Sequence, residues 1–176
     1  MHGSDWTASG LITRYDGCSS KYKGYKERLD NTSKHPLNNP YKNFMLTKPM
    51  YSIHYHGTYL EHCNAKYVNR ALDMISDLYR DLHKNYIEKE ATEQDLNTIN
   101  KKIAEIRWIL AHSTPWERGS DAISNTFIRS VYKAMGIKTS PLKRGISLDL
   151  EAYCTNLEEY KNNFSSYFRK SPYIAE

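Results

Sequence analysis

The sequence predicts a mainly α single domain of four to six helices, with an irregular N-terminal arm and a small β-hairpin. Three observations lead there. The length of 176 residues suits one domain. Apolar residues recur every three or four positions through most of the chain beyond residue 60. Before residue 60 that period is absent, and turn-forming pairs recur at Asp16-Gly17, His35-Pro36, Asn39-Pro40 and Lys48-Pro49. The expected organisation is a basic, irregular arm over 1–60, a helical body over 61–170 and a short tail over 171–176.

The arm is rich in Tyr, Lys, Asn, Ser and Gly. From Met50 to Tyr55 the pattern alternates weakly and meets Gly57, which predicts a short strand or hairpin. A first helix follows from Val68, Leu72, Ile75, Leu78, Leu82 and Tyr86. A second opens at Thr92, where Asp95 stands three positions on as a capping-box partner. Its stripe is Leu96, Ile99, Ile103, Ile106 and Leu110, with Lys101, Lys102, Glu105 and Arg107 opposite, so it is expected to pack on one side only. The third helix runs from Ser120, as N-cap, to Met135 and stops at Gly136; Ile123, Phe127, Val131 and Met135 make its inner face. A fourth starts at Ser147 and continues through Leu150, Tyr153, Leu157, Tyr160, Phe164 and Phe168.

A core of this size needs no disulfide staple. Cys18, Cys63 and Cys154 are odd in number and unrelated in spacing, which favours a reducing compartment. No apolar run reaches the ~18–20 residues of a membrane-spanning helix, and no signal-peptide stretch leads the chain. Met1-His2-Gly3-Ser4 looks like an expression remnant, so the natural protein is expected to be longer. Net charge is +5, of which residues 1–60 hold +4, from eight Lys/Arg and four Asp/Glu. That excess is small and dispersed, which argues for a solvated segment over a nucleic-acid footprint, although an acidic partner or membrane surface would also suit it.

Chemistry is expected in the loop His112-Ser-Thr-Pro-Trp-Glu-Arg-Gly-Ser120 between the second and third helices. A helix start presents unpaired N–H groups and partial positive charge, Gly119 lets a ligand approach the backbone, and Arg118 offers a planar cation. Arg118, Gly119 and Ser120 therefore make a candidate phosphate cradle, with Arg129 as a further cation. His112 titrates near neutrality and is the candidate general base. Glu117 is a candidate Mg²⁺ ligand bridging two phosphates of a nucleotide. The same residues also suit a plain connection: Arg-Gly-Ser turns and caps helices, and a terminal histidine often satisfies carbonyls.

Ile103 to His112, then Pro115-Trp116-Glu117-Arg118-Gly119, then a helix closing at Gly136, resembles the core of the Fic/Doc/AvrB-like (Fido) fold. The Asn-Gly-Arg element of that family is absent and the loop is about two residues longer. The resemblance implies His112 as base, Glu117 at the metal-binding position, Gly119 in the phosphate loop, and the strand around Ile53 as the flap that holds a target chain. It further implies transfer of a nucleotide or phosphate-containing group to a protein hydroxyl, by a bacterial effector or toxin domain that is cytoplasmic or delivered into a host cell and meets a host protein there.

Two other sets of residues compete. His54, His56, His62 and Cys63 suggest zinc, but no second pair completes the set. Cys63 with His112 and Asp121 forms a candidate thiol hydrolase set, since Cys63 stands near a helix start. Fifteen tyrosines, including Tyr79, Tyr86, Tyr153, Tyr160 and Tyr167, suit boundary packing or a non-catalytic helical protein-interaction module.

Overall fold

The computed structural model describes residues 4–7, 10–14, 23–35, 37–38, 40–41, 48–52, 57–116 and 119–174. The mainly α, single-domain class holds. Strands β1 (Ser4–Thr7) and β2 (Gly10–Arg14) precede helix α1 (Lys23–Lys34), and strands β3 (Lys48–Ser52) and β4 (Gly57–Glu61) follow. The body comprises α2 (Val68–Leu82), α3 (Leu96–Ser113), α4 (Ser120–Ala134), α5 (Leu148–Cys154) and α6 (Leu157–Asn163), with two-residue strands β5 (Ile137–Lys138) and β6 (Tyr173–Ile174).

Beneath its irregular composition the first part of the chain holds regular structure. The strands form an antiparallel sheet in the order β1-β2-β4-β3. Met50 pairs with Tyr59 and Ser52 with Gly57, so the expected hairpin is present, while Ile53, His54 and His56 lie outside the described residues. Lys48-Pro49, read as a turn, opens β3 instead. This strand is at the sheet edge, where a residue without an N–H is tolerated. Helix α1 was hidden because only Tyr25, Leu29 and Thr32 of it are buried, on one narrow face.

Helix α1 is tied to α5 by charge. Both oxygens of Glu151 accept from the Arg28 guanidinium at 2.9 Å, and the Tyr25 hydroxyl donates to Glu151 at 2.5 Å. Burial draws the Glu151 carboxyl upward, but the bonds from Arg28 and Tyr25 more than offset it, and the group sits below its ordinary value.

Helix α3 is the axis of the molecule, with α2, α4, α5 and α6 packed around it. The expectation of one-sided packing fails over its second half: Ile106 to Ser113 are all buried, Arg107 and Trp108 completely. Arg107 can sit there because three side-chain acceptors surround its guanidinium, as described below. The Thr92–Asp95 capping box forms as expected, in a turn that leads into α3.

Two further expectations shift by small amounts. The inner face of α4 is Ser124, Ile128, Val131 and Tyr132, and Ile123 is 41% exposed. The start of the helix differs too: Gly119 at φ +77° is the N-cap, and Ser120 is already helical. The fourth helix is two helices, α5 and α6. Thr155 turns extended and its hydroxyl donates back to the Glu151 carbonyl at 2.7 Å, while Asn156 restarts the chain as the N-cap of α6. Gly136, at φ +71°, ends α4 as expected.

Candidate functional site

The end of α3, the loop to α4 and the first residues of α5 meet at one pole of the molecule. Arg107 lies beneath them. Its Nε donates to Asn125 at 3.0 Å, and its two terminal nitrogens donate to Asp149 and to Asp121, each at 2.5 Å. A fully buried guanidinium is costly unless its donors are met, and here the fork is filled from α4 and α5 together. The side chain of Asp149 is 17% exposed and that of Asp121 51% exposed, so the acids reach the surface and the cation does not. Loss of water and the neighbouring Asp149 carboxylate push Asp121 upward, with Arg107 and Asn125 acting against them.

Above this cluster, Nδ1 of His62, which directly follows β4, lies 3.3 Å from the Thr114 hydroxyl. Partial burial lowers the His62 pKa and the charge of Asp149 opposes that, so the ring is neutral at pH 7. Thr114 stands at the C-cap of α3 with φ +39° and ψ 60°. A β-branched residue in the left-handed region is strained, and such strain concentrates where structure serves function.

The N-cap of α4 is Gly119, which has no side chain to cap the first N–H groups of the helix. The Ser120 hydroxyl donates instead to the Trp116 carbonyl at 2.8 Å and accepts from the Trp116 N–H, closing the loop on itself. The only carboxylate in that first turn, Asp121, is bound to Arg107. The helix start therefore presents backbone N–H donors, with the Asp121 and Asp149 carboxylates nearby held on Arg107. Glu117 and Arg118 lie outside the described residues.

His112 is elsewhere. It is 2% exposed, its Nε2 donates to the Ala152 carbonyl at 3.0 Å, and its ring packs 3.9 Å from Trp108 and 5.5 Å from Tyr153, centre to centre. Trp108 donates to the Thr155 carbonyl and Tyr153 to the Ala111 carbonyl. These three bonds stitch α3 to α5, and His112 is one of the stitches. Arg129 is remote too: its guanidinium donates to Thr139 and to the Ser140 carbonyl beyond the far end of α4. Of the sequence-derived residues, the fold leaves Gly119 and Ser120 at the surface of this pole, buries His112 beneath it and holds Arg129 at the far end of α4.

Sequence reasoning missed Arg107 and Asp149. The one available signal was an arginine one turn before His112 in an otherwise apolar stretch of α3. Of the candidate thiol set, burial pushes Cys63 up to about 11, so the thiol is protonated at neutral pH, and it donates to the Asn64 carbonyl. Among the described residues no three His, Cys, Asp or Glu side chains form a metal-binding group, and no helix is long and apolar enough to cross a membrane.

Comparison with known proteins adds two findings. A family model described as "Avirulence protein", built on AvrB and AvrC, matches residues 21–171. Avirulence protein B of Pseudomonas savastanoi pv. glycinea is 30% identical over 112 residues, which cover 64% of this chain and 33% of that protein. The aligned part thus spans a third of the length of that curated relative.

Proposed function

The chain belongs to the avirulence-protein family of AvrB and AvrC, and from that premise we propose that it is a domain of a bacterial effector that acts on a host-cell protein. Its working surface is the rim made by His62, Thr114, Gly119, Ser120 and Asp149. The chemical reading is transfer of a phosphate-containing group, such as a nucleotide, to a protein hydroxyl. The observation that carries it is the glycine-led start of α4 together with His62 in contact with the strained Thr114 at the other end of the same loop.

In this reading the donor's phosphate sits on the amides that follow Gly119, with Arg118 as its cation. The target hydroxyl attacks phosphorus, the bond to the leaving group breaks, and His62 takes the hydroxyl proton. Arg107 positions Asp149 and Asp121 and touches no substrate, and His112 positions α5. Mg²⁺, with Glu117 as its ligand, would neutralise charge on the phosphates. The hairpin β3–β4, next to His62 in sequence, would hold the target chain.

A second reading is a helical protein-interaction module without catalysis. It is favoured by one observation, that His112 is closed against a backbone carbonyl. Thermal unfolding with a nucleotide panel and Mg²⁺ separates the two. Ligand at 100 times its Kd stabilises by about 2.7 kcal/mol, which is several degrees in a domain of this size. A shift in the wild type that disappears in Arg118→Ala supports transfer at the rim. Unshifted curves with every nucleotide favour the interaction module.

A further inference from the structure

The pole opposite the working rim has a different character. Helix α4 is 15 residues long, about 22 Å at 1.5 Å per residue, and it runs from the rim to β5. There two segments, 133–147 and 164–174, meet and pair over 137–143 and 167–174. Ile137 and Lys138 face Ile174 and Tyr173 across β5 and β6, and Leu142 bridges to Phe168. The Lys143 N–H donates to the Tyr167 carbonyl, the Arg169 N–H to the Pro141 carbonyl, and the Lys170 N–H to the Ser140 hydroxyl. Together the segments carry Lys133, Lys138, Lys143, Arg144, Arg169 and Lys170 and not one Asp or Glu. These six cations exceed the net charge of the whole chain, +5.

All six are exposed, and none forms an ion pair among the described residues. The scaffold beneath them is firm: Arg129 bonds Thr139 and Ser140 and lies over the Phe168 ring at 5.7 Å. Exposed like charges carried on two paired segments repel one another, so an anionic partner lowers their energy.

We propose that this β5–β6 pole docks on an anionic lipid surface. Four of the six cations are lysines, whose flexible point charges suit a diffuse field of headgroups. Protein interfaces are depleted in lysine and favour arginine. Base stacking on single-stranded nucleic acid needs open rings, whereas Tyr167 and Phe168 are buried and Lys170 covers Tyr173 at 3.5 Å. Docked this way, the molecule holds its rim away from the lipid by the length of α4, facing proteins at the membrane surface.

The test is co-sedimentation of the chain with vesicles of phosphatidylcholine alone and of phosphatidylcholine with phosphatidylserine, at 50 and 300 mM salt. Binding is expected only to the anionic vesicles and is expected to weaken with salt. Each basic side chain near such a surface strengthens binding about fivefold. Lys138→Glu, Lys143→Glu, Arg144→Glu and Lys170→Glu combined should therefore lower it more than a hundredfold, with an unchanged Tm showing that the variant folds. A control reverses Lys34, Lys66, Arg70 and Lys84, which changes the net charge equally and should leave most binding intact. Equal loss in the control overturns the proposal, as does binding to duplex nucleic acid or an acidic peptide without binding to anionic vesicles. Absence of vesicle binding at 50 mM salt overturns it too.

Discussion

Arg107 has its three bonded groups on two different helices, Asp121 and Asn125 on α4 and Asp149 on α5, so its replacement affects the whole rim. Arg107→Ala leaves two close carboxylates without their cation and is expected to cost about 3–5 kcal/mol in urea unfolding. The two acids should respond unequally. Asp149→Asn weakens an acceptor of the buried guanidinium and should cost about 2 kcal/mol. Asp121 is raised above its ordinary value, which means its surroundings disfavour the charge, so Asp121→Asn should leave Tm unchanged or raise it. Equal losses at both positions would contradict the cluster described here. Thr114→Gly relieves a left-handed φ and should stabilise by about 1 kcal/mol while weakening any ligand shift, since the His62 contact goes with it. Stabilisation without change in ligand response would place Thr114 outside the site.

At the scale of elements, α1 is held to α5 by Glu151, and that attachment is expected to depend on pH. The folded carboxyl lies below its ordinary value near 4.5, so its contribution is fully present above that pH. It is lost as pH falls from there through the folded value. Hydrogen exchange of α1 amides at pH 7 and pH 3 should show early opening in acid, and Glu151→Gln should open α1 at both pH values, costing about 2 kcal/mol. An α1 that stays protected in Glu151→Gln would contradict this anchoring. The same elements show what the sequence made legible. Helices α2, α3 and α4 carry full apolar stripes, and Thr92-Asp95 and Gly136 marked their ends. Helix α1 was invisible because its anchor is an ion pair to a residue more than 120 positions away, which no local period records. The break between α5 and α6 was missed because Thr155 and Asn156 act through hydrogen bonds while the apolar period runs on across them. The loop was located correctly from Pro115 and Gly119. The burial of its histidine was not legible, because whether a ring at a helix end faces a cleft or the Ala152 carbonyl depends on where α5 packs.

At the scale of the molecule, α4 separates two surfaces: a rim of mixed polar groups at its start and an acid-free basic pole at its end. Counting charge by halves of the sequence concealed the second, since acids on α2, α3, α5 and α6 balance the basic residues in the total. The fold collects the cations that those acids do not meet. The chain, a member of the avirulence-protein family, thus presents a different surface at each end of α4.

The central claim is that the rim works through His62 while His112 serves the fold, and paired histidine variants test it most directly. His112→Ala removes a buried ring and leaves the Ala152 carbonyl without its donor, and should lower stability by about 3 kcal/mol. His62→Gln should leave Tm within about a degree of wild type, since the substitution falls at a partly exposed polar position. The decisive measurement is transfer of labelled phosphate or nucleotide to a protein substrate at a temperature where both variants are folded. The account predicts that His62→Gln is inactive and that folded His112→Ala retains activity. Activity lost in folded His112→Ala and retained in His62→Gln would contradict it.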